Sequence, residues 1–233
     1  MLRDKRRSPR RKARFALGIM ILVCLILLLK LVTGSVLFSV KTVTVIGDST
    51  NLVASQIRKD SLGQNLLVFN ESLVTKDVLK NFQVASLNFT KEYPSSIQVT
   101  VNLRVPFIIW EGANGKFLVD KNGVAFKKAT DESLPVVTEP DKTLNIGSSL
   151  STQTTQKIDQ LVESLSSGAI STILLSANTA ALQLTFGPIV IFSLEGNILS
   201  QSEALQVILQ KAKIDGKLPR TVDLEYPNPV VTY

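Results

Sequence analysis

Few side chains in this sequence could do chemistry. Its 233 residues contain no histidine and one cysteine, Cys24. Without an imidazole there is no Cys/His zinc cluster and no histidine-dependent dyad or triad, and a lone thiol closes no internal disulfide. Cys24 sits in an apolar run, where it reads as a small filler. Asp120 stands beside Asn122-Gly123 and is expected to cap a turn, since no neighbouring carboxylates complete a metal site. Serines and lysines are numerous, but no motif marks out a serine-lysine hydrolase, and no Gly-rich loop is built to cradle phosphate. Asn70-Glu-Ser72 and Asn88-Phe-Thr90 match the glycosylation pattern only by chance if the cell is bacterial. No catalytic residue, metal ligand, cofactor or small-molecule substrate is expected.

What remains is main-chain chemistry. A sheet with a free edge can add a partner strand through backbone hydrogen bonds. Thr221 to Tyr233 reads as a strand, a break at Pro227 and Pro229, and a final strand. The prolines interrupt pairing because they cannot donate to a ladder. A last strand is expected at an edge, where Tyr226 and Val230 would supply apolar contacts. Tyr226 reads first as a partly buried core or rim aromatic and second as a contact; Trp110, after apolar strand residues, reads as core.

The net charge of +7 is not spread along the chain. Residues 1–14 hold eight bases (Arg3, Lys5, Arg6, Arg7, Arg10, Arg11, Lys12, Arg14) against Asp4, leaving 18 bases and 18 acids in the rest. A neutral folded part argues against nucleic acid as a partner. The tail runs into Phe15–Leu29, uncharged, then Lys30, then the apolar Leu31–Phe38. Lys30 can snorkel to the headgroups, so a transmembrane helix is expected over 15–37, flanked by Arg10, Arg11, Lys12 and Arg14. The positive-inside rule puts the basic tail in the cytoplasm and everything after the span outside, in a single-pass protein of the cytoplasmic membrane. A cleaved secretory signal is the rival, with Thr33 and Ser35 as small residues, but no Ala-x-Ala follows the run.

The elements that must position an interaction edge can be read from periodicity. Phe38–Ile46 is β-rich and is broken by Gly47-Asp48-Ser49; Val53 and Ile57 then share a helical face, and Gly63-Gln-Asn65 is a turn. Leu73, Val74, Val78, Leu79 and Phe82 recur at helical spacing. Ala85, Leu87 and Phe89 alternate with polar residues, and Ile97, Val99, Val101, Leu103 and Val105 do so strictly, which would bury Leu103. The order is β-α-α-β-β, a small two-layer domain over 38–105. From 106 to 233 a sheet-dominated domain with two helices is expected. Asn122-Gly123 signals a type I′ hairpin, and Gly187-Pro188 divides Leu182, Leu184 and Phe186 from Val190, Phe192 and Leu194. Ile158, Leu161, Val162 and Leu165 share one helix face, and Ser200-Gln-Ser-Glu203 resembles a capping box opening a helix that buries Leu205, Ile208, Leu209 and Ala212. The fold class is α+β.

Several short segments, in order, resemble the bacterial cell-division family FtsQ/DivIB. Phe38-Ser-Val40 with Val43-Thr-Val45-Ile-Gly47 is similar to the opening strand of that family's POTRA domain, Gly63-Gln-Asn65-Leu66 to its Gly-x-Asn turn, and Val84-Ala85 with Tyr93-Pro94-Ser95-Ser96-Ile97-Gln-Val99 to its paired strands. Arg104-Val-Pro106, Trp110, Leu118-Val-Asp120, Gly123, Phe126 and Leu134-Pro135 continue the match. Two positions depart from it: Leu103 precedes Arg104 where the family often has an acid, and Glu225 in Val222-Asp223-Leu224-Glu225-Tyr226 stands where it tends to place an arginine. The resemblance implies a non-enzymatic bitopic scaffold at the division septum. It would recruit FtsB/DivIC-like and FtsL-like proteins, and through them septal peptidoglycan synthesis. In the family the last strands of the β domain bind the partner, which here implicates Glu225, Tyr226, Asn228, Val230 and Val231. Two other classes stay open: a POTRA-bearing assembly or secretion component, and a membrane-anchored envelope enzyme. The second would reveal itself by a deep polar pocket holding a lysine within reach of a serine.

Overall fold

The structure, a computed structural model, describes residues 17–27, 30, 36–47, 51–165 and 170–233. Arg10, Arg11, Lys12 and Arg14, the small residues Thr33 and Ser35, and Asp48-Ser49 lie outside them. Residues 17–27 are helical with exposed apolar side chains, and Lys30 is exposed. Among the described residues no helix is long and apolar enough to cross a membrane. The chain divides into two compact units, Met1–Leu103 and Arg104–Tyr233.

In the first unit a turn of 3-10 helix, Val36–Phe38, precedes β1 (Thr42–Ile46), α1 (Leu52–Ser61), α2 (Glu71–Val78), β2 (Val84–Glu92) and β3 (Ser96–Leu103). The sheet order is β1-β3-β2, with β1 parallel and β2 antiparallel to the central β3. Helix α2 starts where Asn70 Oδ1 accepts the Ser72 amide at 3.1 Å, satisfying one of the donors a helix leaves unpaired. Val53 and Ile57 of α1 and Val74 and Val78 of α2 pack on Ile97, Val99 and Val101.

Three expectations here fail for local reasons. Helix α2 ends at Val78, and Leu73 and Phe82 are exposed, off its buried face. A register shift between Val84 and Ser86 turns Val84 inward and leaves Ala85 exposed. Leu103 is 36% exposed and Val105 76%: β1 stops at Ile46, opposite Thr100, no described strand continues the sheet on that side of the end of β3, and Val105 lies past β3 altogether.

The second unit runs β4 (Ile108–Gly112), β5 (Gly115–Val119), β6 (Ala125–Lys128), β7 (Val136–Thr138), α3 (Thr152–Leu165), β8 (Ile170–Leu175), β9 (Thr179–Leu184), β10 (Ile189–Ser193), α4 (Ile198–Ile214), β11 (Thr221–Asp223) and β12 (Val230–Thr232). These form one nine-stranded sheet, β12-β11-β10-β9-β8-β7-β4-β5-β6. Ile158, Leu161 and Val162 of α3 and Ile198 and Leu205 of α4 belong to one core with Trp110, Ile173, Leu182, Val190, Phe192 and Val222. Each such side chain contributes about 1.5–3 kcal/mol by leaving water. Ile109, Leu118 and Phe126 form a smaller cluster with Ala129, Leu134 and Val136. The architecture is α+β and dominated by its sheets.

The turns differ from their sequence signals. Helix α4 begins at Ile198, because Asn197 Oδ1 accepts the amides of Leu199 and Ser200 at 3.0 and 3.2 Å; Ser200 is already inside the helix and does not open a capping box. At Asn122-Gly123 only the glycine has positive φ, +78°, so the turn is not type I′. The Asp120 carboxylate selects the alternative, accepting the amides of Asn122 at 3.0 Å and Val124 at 2.8 Å. The second oxygen of that carboxylate is held by Arg104, in an ion pair whose side chains are 16% and 7% exposed. Phe186 closes no core: at 96% exposure it stands beyond the end of β9.

Candidate partner-binding edge

The nine-stranded sheet has two edges, and their residues differ in kind. β6 carries Lys127 and Lys128, both exposed, on one outer strand. Charged side chains, lysine above all, are how a sheet discourages strand addition. β12 offers Val230, Val231 and Thr232, with no charge. It pairs antiparallel with β11 through Thr221↔Thr232, Val222↔Val231 and Asp223↔Val230, leaving its other side open among the described residues.

Pairing places each candidate contact residue. Val231 lies in register with Val222, Val190 and Leu182, which are buried in the helix-covered core, and is itself half-buried; Val230 is 54% exposed. β11 is shorter than the strand expected to reach Tyr226. It ends at Asp223, where Asp223 Oδ1 accepts the Glu225 amide at 2.9 Å and bends the chain, and Pro227 and Pro229 keep the next residues out of a ladder. Leu224 stays anchored, its amide donating to the Ile191 carbonyl at 2.8 Å and its side chain buried. Glu225, Tyr226 and Asn228 therefore occupy a bend between β11 and β12 and are all exposed. Tyr226 is 62% exposed, so the rim or core reading of this ring does not hold. Trp110 is fully buried, as its sequence context indicates.

This bend and the start of α4 enclose a groove of about 290 Å³, lined among others by Ser200, Gln201, Ala204, Leu224, Glu225 and Tyr226. The Gln201 side chain ties its wall to β10, accepting the Ser193 amide at 2.8 Å and donating to the Ser193 carbonyl at 3.0 Å. The groove's relation to β12 was not legible in the sequence, because it depends on α4 returning the chain to lay β11 parallel beside β10. A smaller cleft of about 180 Å³ holds Lys157 and Ser176, and a wider, open one of about 590 Å³ in the first unit holds Lys76 and Ser72; both serines are exposed, and among the described residues no hydrogen bond joins either pair. Nor, among the described residues, does any group of acids or cysteine suit a metal ion.

A helix-backed sheet with one guarded and one open edge defines a module suited to strand addition. Its relatives agree in the process they serve. The model of the family described as Cell division protein FtsQ/DivIB, C-terminal, matches residues 108–225. The chain belongs to that family of cell-division proteins. It is similar to the Cell division protein FtsQ of Mycobacteroides abscessus, 34% identical over 116 residues, which cover 46% of this chain and 37% of the relative. A second likeness, to the Cell division protein FtsQ of Mycobacterium leprae, is 35% over 68 residues, 29% of this chain and 20% of the relative. The matched stretches thus span little more than a third of these relatives at most. The family match ends at Glu225, so Tyr226 and all of β12 lie past it.

Proposed function

We propose that this chain is a bitopic scaffold of the cell-division machinery. It is held in the cytoplasmic membrane by residues 15–37, with its basic tail inside and its C-terminal unit outside, and acts at the septum. The β-α-α-β-β unit is its POTRA-like domain and the nine-stranded unit its β domain. It works without catalysis: β12 accepts a strand from an FtsB/DivIC-like protein, an FtsL-like protein is recruited as well, and through them the chain is linked to septal peptidoglycan synthesis. The observation that carries this reading is the uncharged open edge at β12, set beside the exposed Tyr226 and its groove.

Each added main-chain hydrogen bond contributes about 0.5–1.5 kcal/mol net, and a central aromatic anchor about 1–3 kcal/mol. Tyr226→Ala is therefore expected to weaken binding of the partner's extracytoplasmic segment by about 1–3 kcal/mol. The fold should not change, because the ring touches mainly solvent. Deleting Val230–Tyr233 should weaken it further, since backbone donors and acceptors go as well. Affinity measured beside the melting temperature of each variant is the test; unchanged affinity in both folded variants would move the binding surface elsewhere.

A further inference from the structure

The chain connections that build the β12 edge also sort its charges. β10 and β11 are parallel, so the loop leaving β10 and the bend leaving β11 lie at the same end of the sheet. That end carries Glu195, Asp223 and Glu225, and the register puts Val230 there, opposite Asp223. Helix α4 carries the chain to the other end, where Lys217 and Arg220 precede β11, with Asp215 the acid among them. Thr232 and Tyr233 lie at this basic end: the Arg220 amide donates to the Thr232 carbonyl at 2.8 Å, and Lys217 Nζ sits 4.5 Å from the Tyr233 ring centroid. Val230 and Tyr233 are about 10 Å apart at ~3.3 Å per residue, close to the screening length of about 8–10 Å at physiological salt. An incoming strand therefore passes acidic side chains at one end and the basic side chains of Lys217 and Arg220 at the other.

We propose that this edge reads charge order in its partner, an inference that rests on β12 being the docking strand. Antiparallel addition, the more stable pairing per residue, runs the partner from the Tyr233 end toward the Val230 end. The strand that fits carries an acidic residue near its N-terminal end, over Lys217 and Arg220. A basic residue follows about four positions later, facing Asp223 and Glu225. The apolar residues between them continue the Val222 and Val231 row. Exposed pairs of this kind are weak, so their effect is on selection and direction, with a change of about threefold per pair.

The test is a display selection of seven-residue strands, randomised among Thr, Val, Ile, Glu and Lys, against the full chain in detergent micelles. Clones ordered acid-then-base should outnumber base-then-acid clones at least threefold. The Lys217→Glu/Glu225→Lys double variant should invert that preference. Clones that lose binding to a chain truncated after Pro229, or to Tyr226→Ala if the truncated chain does not keep native Trp110 emission, are using this edge. If they show no order preference, or the same preference on the double variant, the charge proposal is overturned while the edge stands. Clones indifferent to both edge variants, or no clones at all, would overturn the edge itself and the proposal with it.

Discussion

Replacing Asp120 with alanine removes three things at once: the partner of Arg104 and the acceptor of the Asn122 and Val124 amides. Breaking a fully buried ion pair by deleting one partner costs about 3–5 kcal/mol. That figure falls here, because Arg104 is 16% exposed and can turn partly to water. The two amides add roughly 0.5–1.5 kcal/mol each, less what solvent returns. A loss of about 3 kcal/mol is expected, which for a unit of this size lowers the melting temperature by roughly 10 °C. The chain has one tryptophan, Trp110, fully buried in the same unit, so its emission follows that unit alone during denaturation of the full chain. Asp120→Asn keeps an oxygen for the amides but not the charge, and should fall between wild type and alanine. In a double-mutant cycle with Arg104→Met the losses should couple by at least about 1 kcal/mol. Additive losses, or an alanine variant within about 0.5 kcal/mol of wild type, would refute the assignment of this pair as the anchor of the turn.

Gly123→Ala should cost about 2–3 kcal/mol on the same fluorescence transition, since its φ is +78° and a Cβ there would clash with Thr155 Oγ1. In the first unit Leu103→Ser should shift stability by less than about 0.5 kcal/mol and Val101→Ala lower it by about 2 kcal/mol, read by circular dichroism or hydrogen exchange; equal effects would mean that Leu103 is buried after all. Terminal sequencing of the membrane-extracted protein should return Met1 or Leu2, and a start near Ser35 or Val36 would defeat the anchor.

Much of this fold was legible in the sequence because alternation is enforced wherever both faces of a strand have settled fates. Ile97, Val99 and Val101 obey it under two helices, and Ala180, Leu182, Val190 and Phe192 obey it under α3 and α4. Leu103 and Phe186 continue their patterns by one step and are exposed, because periodicity does not report where a neighbouring strand or covering helix stops. Turn chemistry was misread where a side chain outside the expected dipeptide decides the matter: Asp120 at the Asn122-Gly123 turn, and Asn197 before Ser200. Of the candidate site, the residues were nameable but their arrangement was not. The exposure of Tyr226, the groove beside it and the charge on β6 follow from a nine-strand order in which β12, β11 and β10 are neighbours while β7 intervenes between β8 and β4.

The contrast between β6 and β12 also limits valency. A domain with two receptive edges can grow without end, each copy templating the next into an open filament. Here β6 carries Lys127 and Lys128, and its Ala125 main chain is already bonded to Gly147 and Ser148, so the nine-stranded sheet has one uncharged, unpaired edge among the described residues, β12. With β12 as the docking strand proposed above, partner capture and self-pairing through it exclude one another, and one chain holds at most one partner at this edge.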